Sequence, residues 1–227
     1  MKRILITGGT GTLGGALTRE LCARGHEVTA GFRANEARAV ALALETGCAL
    51  WQGDMSDETE VESLFQSQEF AAMVHCAGWN RNDLLARTSP QAWNEMMDSH
   101  LTSSFLICRA GLRHLPPNGQ ILLVSSRVGL VGNIGQSAYA SAKAGVFGLM
   151  RTAALEGHER GIRVNAICPG FAPNEGEILS TPQQNKRTEE EILAGSDARV
   201  TFAAFVAWFL GSNSGMNGQI LRPDCRI

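Results

Sequence analysis

Short apolar runs alternate with longer amphipathic stretches along almost the whole chain. The runs are apolar on both faces, which is typical of strands buried inside a parallel sheet. The stretches between them, such as 13–25 and 89–115, have helical periodicity. Seven runs predict strands: RILIT (3–7), HEVTAGF (26–32), CALWQ (48–52), AAMVHCA (71–77), GQILLVSS (119–126), IRVNAICP (162–169) and GQILRP (218–223).

Regular alternation of strand and helix predicts a doubly wound α/β Rossmann fold with a mostly parallel seven-stranded sheet and helices on both faces. Ligands of such folds bind at the carboxyl ends of the strands. We expect residues 1–227 to form a single domain, because no repeat or low-complexity boundary divides them. The polar segment at about 171–200 is compatible with a lid over the site and equally with a solvated connection.

Composition favours small-molecule chemistry. The chain has 20 basic and 22 acidic residues, a formal charge of −2 and no long charge run, so nucleic acid and anionic membranes are poor partners. The 6 cysteines are scattered without metal-ligand spacing, which predicts no metal and a reducing compartment. The apolar segment 202–210 is too short to span a bilayer. We therefore expect a soluble, cytoplasmic protein.

A glycine-rich turn follows the first strand. In TGGTGTLG, residues Gly9, Gly11 and Gly14 satisfy the G-x-G-x-x-G pattern, and a helical stretch comes next. Such glycines let the backbone approach a pyrophosphate at the amino end of the helix. A purely structural turn is the alternative, but the strand before and the helix after favour nucleotide binding.

The end of the second strand predicts the cofactor. Phe32 lies where a carboxylate would bind the ribose diol of NAD(H), and Arg33 beside it suits a 2'-phosphate, so NADP(H) is favoured. A solvated arginine is the alternative. Asp54, after the third strand, is placed to accept a hydrogen bond from the adenine amino group; it could instead belong to a helix start, for which Ser56 or Asp57 is the better cap.

Candidate catalytic residues follow the fifth strand. Ser125 and Ser126 end that strand, and SAYASAKAG at 137–145 begins the next helix. Tyr139 and Lys143 are four residues apart and therefore share a helix face. A hydroxyl, a phenol and an ammonium group could thus converge beside a nicotinamide.

Taken together, these motifs resemble the short-chain dehydrogenase/reductase family over nearly the whole chain. The resemblance rests on TGGTGTLG, GDMSD, CAG, Ser126, YASAK and the pair Pro169–Gly170. The segments WNEMMDSHLTSSF, GNIGQSAYASAKAGVFGLMR and ERGIRVNAICPGF are most similar to the 3-oxoacyl-[acyl-carrier-protein] reductase branch.

The resemblance implies NADPH-dependent reduction of a ketone, for which a 3-oxoacyl thioester of fatty acid biosynthesis is the first expectation. Tyr139 would be the general acid, with its pKa lowered by Lys143, which would also hold the ribose hydroxyls; Ser126 would position the carbonyl oxygen. The implied cofactor-binding residues are Gly8, Gly9, Thr10, Gly11, Thr12, Leu13, Gly14, Arg33, Asp54, Met55, Cys76, Ala77, Gly78, Tyr139, Lys143, Pro169, Gly170 and Phe171.

Several positions depart from the family pattern. Thr12 and Cys76 replace a glycine and an asparagine, and Asn174 stands where a threonine often touches the cofactor. His100 replaces an asparagine thought to hold a water in a proton relay, so we assign it either to that relay or to helix packing. Alternatives to the first expectation are another small ketone, alcohol or sugar substrate, and a non-catalytic sensor of NADP(H).

Two kinds of partner follow from the resemblance. A carrier protein would be acidic, so Arg127, Arg151 and Arg160 are candidate contacts. A homotetramer or homodimer would be built partly on the helices predicted at 90–112 and 137–158, whose small residues allow close approach.

Overall fold

The computed structural model describes residues 3–169, 197–212 and 215–223. Within these ranges the strands form one seven-stranded sheet in the order β3-β2-β1-β4-β5-β6-β7, and every pairing is parallel. The predicted doubly wound sheet is therefore confirmed. Its strands are β1 (Arg3–Thr7), β2 (Glu27–Phe32), β3 (Ala49–Gln52), β4 (Ala72–His75), β5 (Gln120–Val124), β6 (Arg163–Ile167) and β7 (Ile220–Leu221).

Helices connect the strands, and polar side chains define where several of them begin. Asn35, Asp57 and Ser89 each accept a hydrogen bond from the backbone N–H three residues on, which confirms Asp57 as a helix cap. The helices are α1 (Thr12–Ala23), α2 (Glu36–Thr46), α3 (Glu58–Ser67), α4 (Pro90–Met97), α5 (Ser103–His114), α6 (Val128–Val131), α7 (Ser137–Glu156) and α8 (Ala198–Ser212), with 3-10 turns at Leu85–Arg87 and His158–Arg160.

Both faces of the sheet are buried. Along β1, Ile4 and Ile6 pack on one face with α1 and α8, whereas Leu5 packs on the other with α3, α5 and α7. This arrangement explains why the strand segments are apolar at successive positions instead of alternating. Because helices cover both faces, polar side chains reach solvent at the carboxyl edge of the sheet.

The helix predicted across 89–115 is interrupted. α4 and α5 are separated by a π-helical turn at Asp98–Thr102, which contains the buried His100. A π turn adds a residue to the helix and rotates the side chains that follow. The turn lies against α7, so the interruption occurs next to the helix that carries Tyr139.

The topology has its switch point at β1. The chain winds from β1 toward β2 and β3 on one side, and β4 lies on the other side of β1. The crevice of a doubly wound sheet opens at this point. Most of the predicted lid segment lies outside the described residues, and Ala198–Val200 at its end already belong to α8.

Candidate active site

The glycine turn after β1 is closely packed. Gly8 has φ of +61°, and a Cβ on Gly14 would lie 2.2 Å from the carbonyl oxygen of Gly8. Gly11 is the N-cap of α1 and brings no side chain to the first N–H groups of that helix. A turn with glycine at these positions leaves backbone N–H groups accessible to a pyrophosphate, so the residues present fit a dinucleotide.

Arg33 and Asp54 meet at the ends of β2 and β3. The Arg33 guanidinium donates to one carboxylate oxygen of Asp54 at 3.3 Å, and Ser56 donates to the other through both its backbone and its hydroxyl. Burial tends to raise the pKa of Asp54, but the hydrogen bonds from Ser56 and Arg33 outweigh it and lower the pKa. Arg33 is largely exposed, which suits contact with a phosphate. The adenine contact of Asp54 stays a prediction.

The segment after β4 runs beside the glycine turn. A Cβ on Gly8 would lie 2.8 Å from the backbone of Ala77, and Gly78 has φ of +149°. A Cβ on Gly78 would lie 2.3 Å from Cε1 of His100. Only glycine fits this position without displacing the imidazole. Residues Cys76–Gly78, which follow β4 beside the glycine turn, are called the Cys76–Gly78 wall of the crevice.

Ser126, Tyr139 and Lys143 come together as predicted. Ser126 lies close enough to Tyr139 for its hydroxyl to lower the pKa of the phenol, and Nζ of Lys143 lies 5.8 Å from the centroid of the Tyr139 ring. Nζ of Lys143 donates to the carbonyl oxygen of Val124 at 2.7 Å. Ser125 has a different task, because its hydroxyl donates to the carbonyl oxygen of Lys143 and joins β5 to α7.

The expected lowering of the Tyr139 pKa is wrong in this structure. Burial raises the pKa of Tyr139, and the nearby Ser126 hydroxyl offsets this only in part. Burial also lowers the pKa of Lys143 to about 8, because the ammonium is enclosed with one carbonyl partner and no adjacent carboxylate among the described residues. Lys143 is not among the groups that shift the pKa of Tyr139.

His100 lies beside Tyr139. Its Nε2 donates to the carbonyl oxygen of Trp79 at 2.6 Å, so Nδ1 carries the lone pair, and Nδ1 is buried without a hydrogen-bond partner among the residues that the structure describes. Burial, with a smaller contribution from the charge of Lys143, lowers the pKa of His100 to about 3, so the ring is neutral. The histidine therefore packs in the helix and also leaves an acceptor unused.

Sequence reasoning missed three side chains behind the crevice. Thr7, His75 and Ser103 are buried and joined by hydrogen bonds. The available signal was a histidine in the otherwise apolar run AAMVHCA, directly before CAG. Gly129 was also missed: a Cβ there would lie 2.8 Å from the backbone of Lys143.

The remaining predicted residues are placed as follows. Met55 is buried after β3, and Pro169 follows β6 at the carboxyl edge of the sheet. Gly170, Phe171 and Asn174 lie outside the described residues. Of the arginines assigned to a carrier protein, Arg160 donates to the carbonyl oxygens of Leu112 and Leu115 and so closes the end of α5.

A family model described as short chain dehydrogenase matches residues 2–184. The chain belongs to the short-chain dehydrogenase family. Among curated members, 3-oxoacyl-[acyl-carrier-protein] reductase FabG of Escherichia coli K12 is 33% identical, with 98% of this chain and 96% of that protein covered. Acetoacetyl-CoA reductase of Shinella zoogloeoides is 32% identical, with 94% and 92% covered.

Two solved structures have the same fold. A dehydrogenase/reductase from Sinorhizobium meliloti 1021 superposes with a TM-score of 0.89 at 24% identity, covering 97% of this chain and 92% of that one. BdcA, solved in complex with NADPH, gives a TM-score of 0.88 at 23% identity, with coverage of 97% and 92%. No helix within the described ranges is long and apolar enough to cross a membrane. The same ranges hold no cluster of three His, Cys, Asp or Glu suited to a metal ion.

Proposed function

We propose that this short-chain dehydrogenase reduces a 3-oxoacyl thioester, carried on acyl-carrier protein or coenzyme A, to the 3-hydroxyacyl thioester with NADPH. The observation that carries the proposal is the convergence of Ser126, Tyr139 and Lys143 beside a glycine turn that fits a dinucleotide. Two relatives at 32% and 33% identity are named for reactions of this kind. Cytoplasmic location stays a prediction.

Cofactor choice is argued from Arg33. Its exposed guanidinium lies at the end of β2, where a 2'-phosphate would be bound, and no carboxylate follows Phe32 to bind a free ribose diol. Bound NADPH would supply the hydride. The glycine turn, Arg33 and the Cys76–Gly78 wall would hold it, and NADPH bound to the fold relative BdcA supports this choice.

Proton transfer is assigned to Tyr139. The phenol is protonated near neutral pH and can donate its proton to the alkoxide oxygen formed during reduction, while burial, which raises the pKa of Tyr139, makes it a weaker acid than a solvated phenol. Ser126, whose hydroxyl is near enough to the phenol to lower its pKa, would donate to the same substrate oxygen and position it. Lys143 would add positive charge near the developing oxyanion.

His100 would serve the relay that recharges Tyr139. The unused Nδ1 acceptor is enclosed, and Lys143 is close enough to influence the His100 pKa. A bound water donating to Nδ1 and accepting from the Lys143 ammonium would satisfy both groups. If His100 did not support the relay, its presence in place of the family's asparagine would favour the alternative function, a sensor that binds NADPH without turnover.

The test is NADPH oxidation by the purified protein with acetoacetyl-CoA and with an acetoacetyl carrier protein, each compared with NADH. Oxidation of NADPH with either thioester supports the proposal. Cofactor binding with oxidation only by other carbonyls would identify a different substrate, and binding without any oxidation would favour the sensor.

We also propose a homodimer or homotetramer that uses the long helices α5 and α7. Phe105 on α5 and Leu155 on α7 are large apolar side chains exposed in the single chain. The mass in solution, measured by light scattering, tests this; a monomer would contradict it.

A further inference from the structure

A directed chain of hydrogen bonds runs behind the cofactor crevice. The Ser103 hydroxyl donates to the carbonyl oxygen of Ser99 at 2.7 Å, so it has no proton left for His75, whose Nε2 lies 3.0 Å away. Nε2 of His75 must therefore carry the proton and donate to Ser103. Nδ1 of His75 is then the acceptor, and the Thr7 hydroxyl donates to it at 2.7 Å.

The chain ends at the wall of the crevice. With its proton given to His75, Thr7 accepts from the backbone N–H of Ala77 at 3.3 Å. Each hydroxyl proton and the single ring proton of Thr7, His75 and Ser103 thereby makes one hydrogen bond. The direction of every hydrogen bond in the chain is therefore determined. His75 is 2% exposed, and burial lowers its pKa to about 3, so the neutral ring and its tautomer persist at working pH.

Three segments of the site depend on this one imidazole. Thr7 directly precedes the glycine turn, His75 directly precedes Cys76–Gly78, and Ser103 directly follows the π turn that carries His100. The β1 and β4 backbones that His75 and Thr7 join are those between which the crevice opens.

We propose that His75 is a positioning residue for the NADPH site: held between Thr7 and Ser103, it fixes the separation of the glycine turn from the Cys76–Gly78 wall. This role rests on the proposed function, because it acts through cofactor binding. Loss of the imidazole or of either hydroxyl leaves a buried partner unsatisfied and lets the two walls shift. Cofactor affinity should suffer more than the chemical step.

The experiment measures NADPH dissociation constants and kinetics for Thr7→Val, Ser103→Ala, His75→Leu and His75→Asn. We expect the dissociation constant to rise by about tenfold in the first three, as for one buried hydrogen bond, and KM for NADPH to rise more than kcat falls. Asn keeps an acceptor near the Nδ1 position and should partly restore affinity. Thr29→Val is the matched control, because Thr29 in β2 is equally buried and donates to Gln68 after α3, away from the crevice.

Two further readouts separate the possible failures. Nitrogen-15 NMR of the histidine rings should show His75 as the Nε2–H tautomer from pH 5 to 8, with or without NADPH; an Nδ1–H tautomer would overturn the chain. Wild-type protein that binds no NADPH would overturn the proposed function, and this role with it. Normal wild-type binding with unchanged dissociation constants in folded Thr7→Val and Ser103→Ala would overturn the His75 role alone.

Discussion

The ring of His100 lies edge-on to the ring of Tyr139, with centroids 5.0 Å apart and an interplanar angle of 86°. The imidazole is fixed by its hydrogen bond to Trp79, and its free acceptor is enclosed beside the catalytic group. The histidine is thus a neutral ring beside Tyr139 with one free acceptor, which is what the proposed water relay requires. Its contribution can be measured separately from that of Tyr139.

Replacing His100 by leucine should lower kcat by about tenfold or more, because the acceptor that orients the relay water is lost. His100→Asn should retain most of the activity, since an amide oxygen can accept from the same water. The measurement is kcat across the pH range, with His114→Asn as control for an exposed histidine bonded to Glu62. Unchanged kcat in the leucine variant would assign His100 to packing alone.

The two buried histidines should make the protein sensitive to acid. His75 and His100 have pKa values lowered by burial from 6.5 to about 3, so the unfolded chain takes up protons that the native state excludes. Stability should therefore fall as pH falls from about 6.5 toward 3. Urea unfolding of wild type and His100→Asn at several pH values tests this, and a variant with the same steep acid limb as wild type would contradict it.

Lys143 should give a dependence of the same sign at high pH. Burial lowers its pKa from 10.5 to about 8, so between these values the unfolded chain holds a proton that the native state has released. Stability of the cofactor-free protein should therefore gain from this group as pH rises from 8 to 10.5. The melting temperatures of wild type and Lys143→Met, plotted against pH, should diverge over this window. Parallel curves would show that burial does not lower the pKa of Lys143.

Two glycines should respond oppositely to alanine. A Cβ on Gly14 would lie 2.2 Å from a backbone oxygen, so Gly14→Ala should displace the glycine turn and raise the NADPH dissociation constant by about a hundredfold or more. Gly148, within α7, has open space at its Cβ position, and Gly148→Ala should stabilise the chain by about 0.5–1 kcal/mol. Titration with NADPH and thermal melts test both; unchanged affinity in Gly14→Ala would contradict the assigned turn.

Arg33→Ala should remove the preference for NADPH. The ratio of catalytic efficiencies with NADPH and NADH should fall by about tenfold or more, because a charge-assisted contact to the 2'-phosphate is lost. Arg3→Ala is the matched control, since Arg3 also pairs with an exposed carboxylate, Glu27, but at the amino end of the sheet. Equal efficiency with both cofactors in wild type would defeat the assignment.

The sequence contained enough information to predict the sheet and the shared helix face of Tyr139 and Lys143, because apolar runs and the i,i+4 spacing depend on local geometry. The π turn at His100 was not predictable, since helical periodicity continues through 89–115. The direction of the Tyr139 pKa shift also escaped prediction. It depends on how completely tertiary packing buries the phenol and on where Nζ of Lys143 points.

The most direct test of the account is Tyr139→Phe assayed with NADPH and acetoacetyl-CoA. The substitution removes only the phenolic oxygen, so we expect the fold and NADPH dissociation constant to be retained while NADPH oxidation falls to the background rate. An active Tyr139→Phe variant, oxidising NADPH with the thioester at the wild-type rate, would contradict the assignment of Tyr139 as the proton donor.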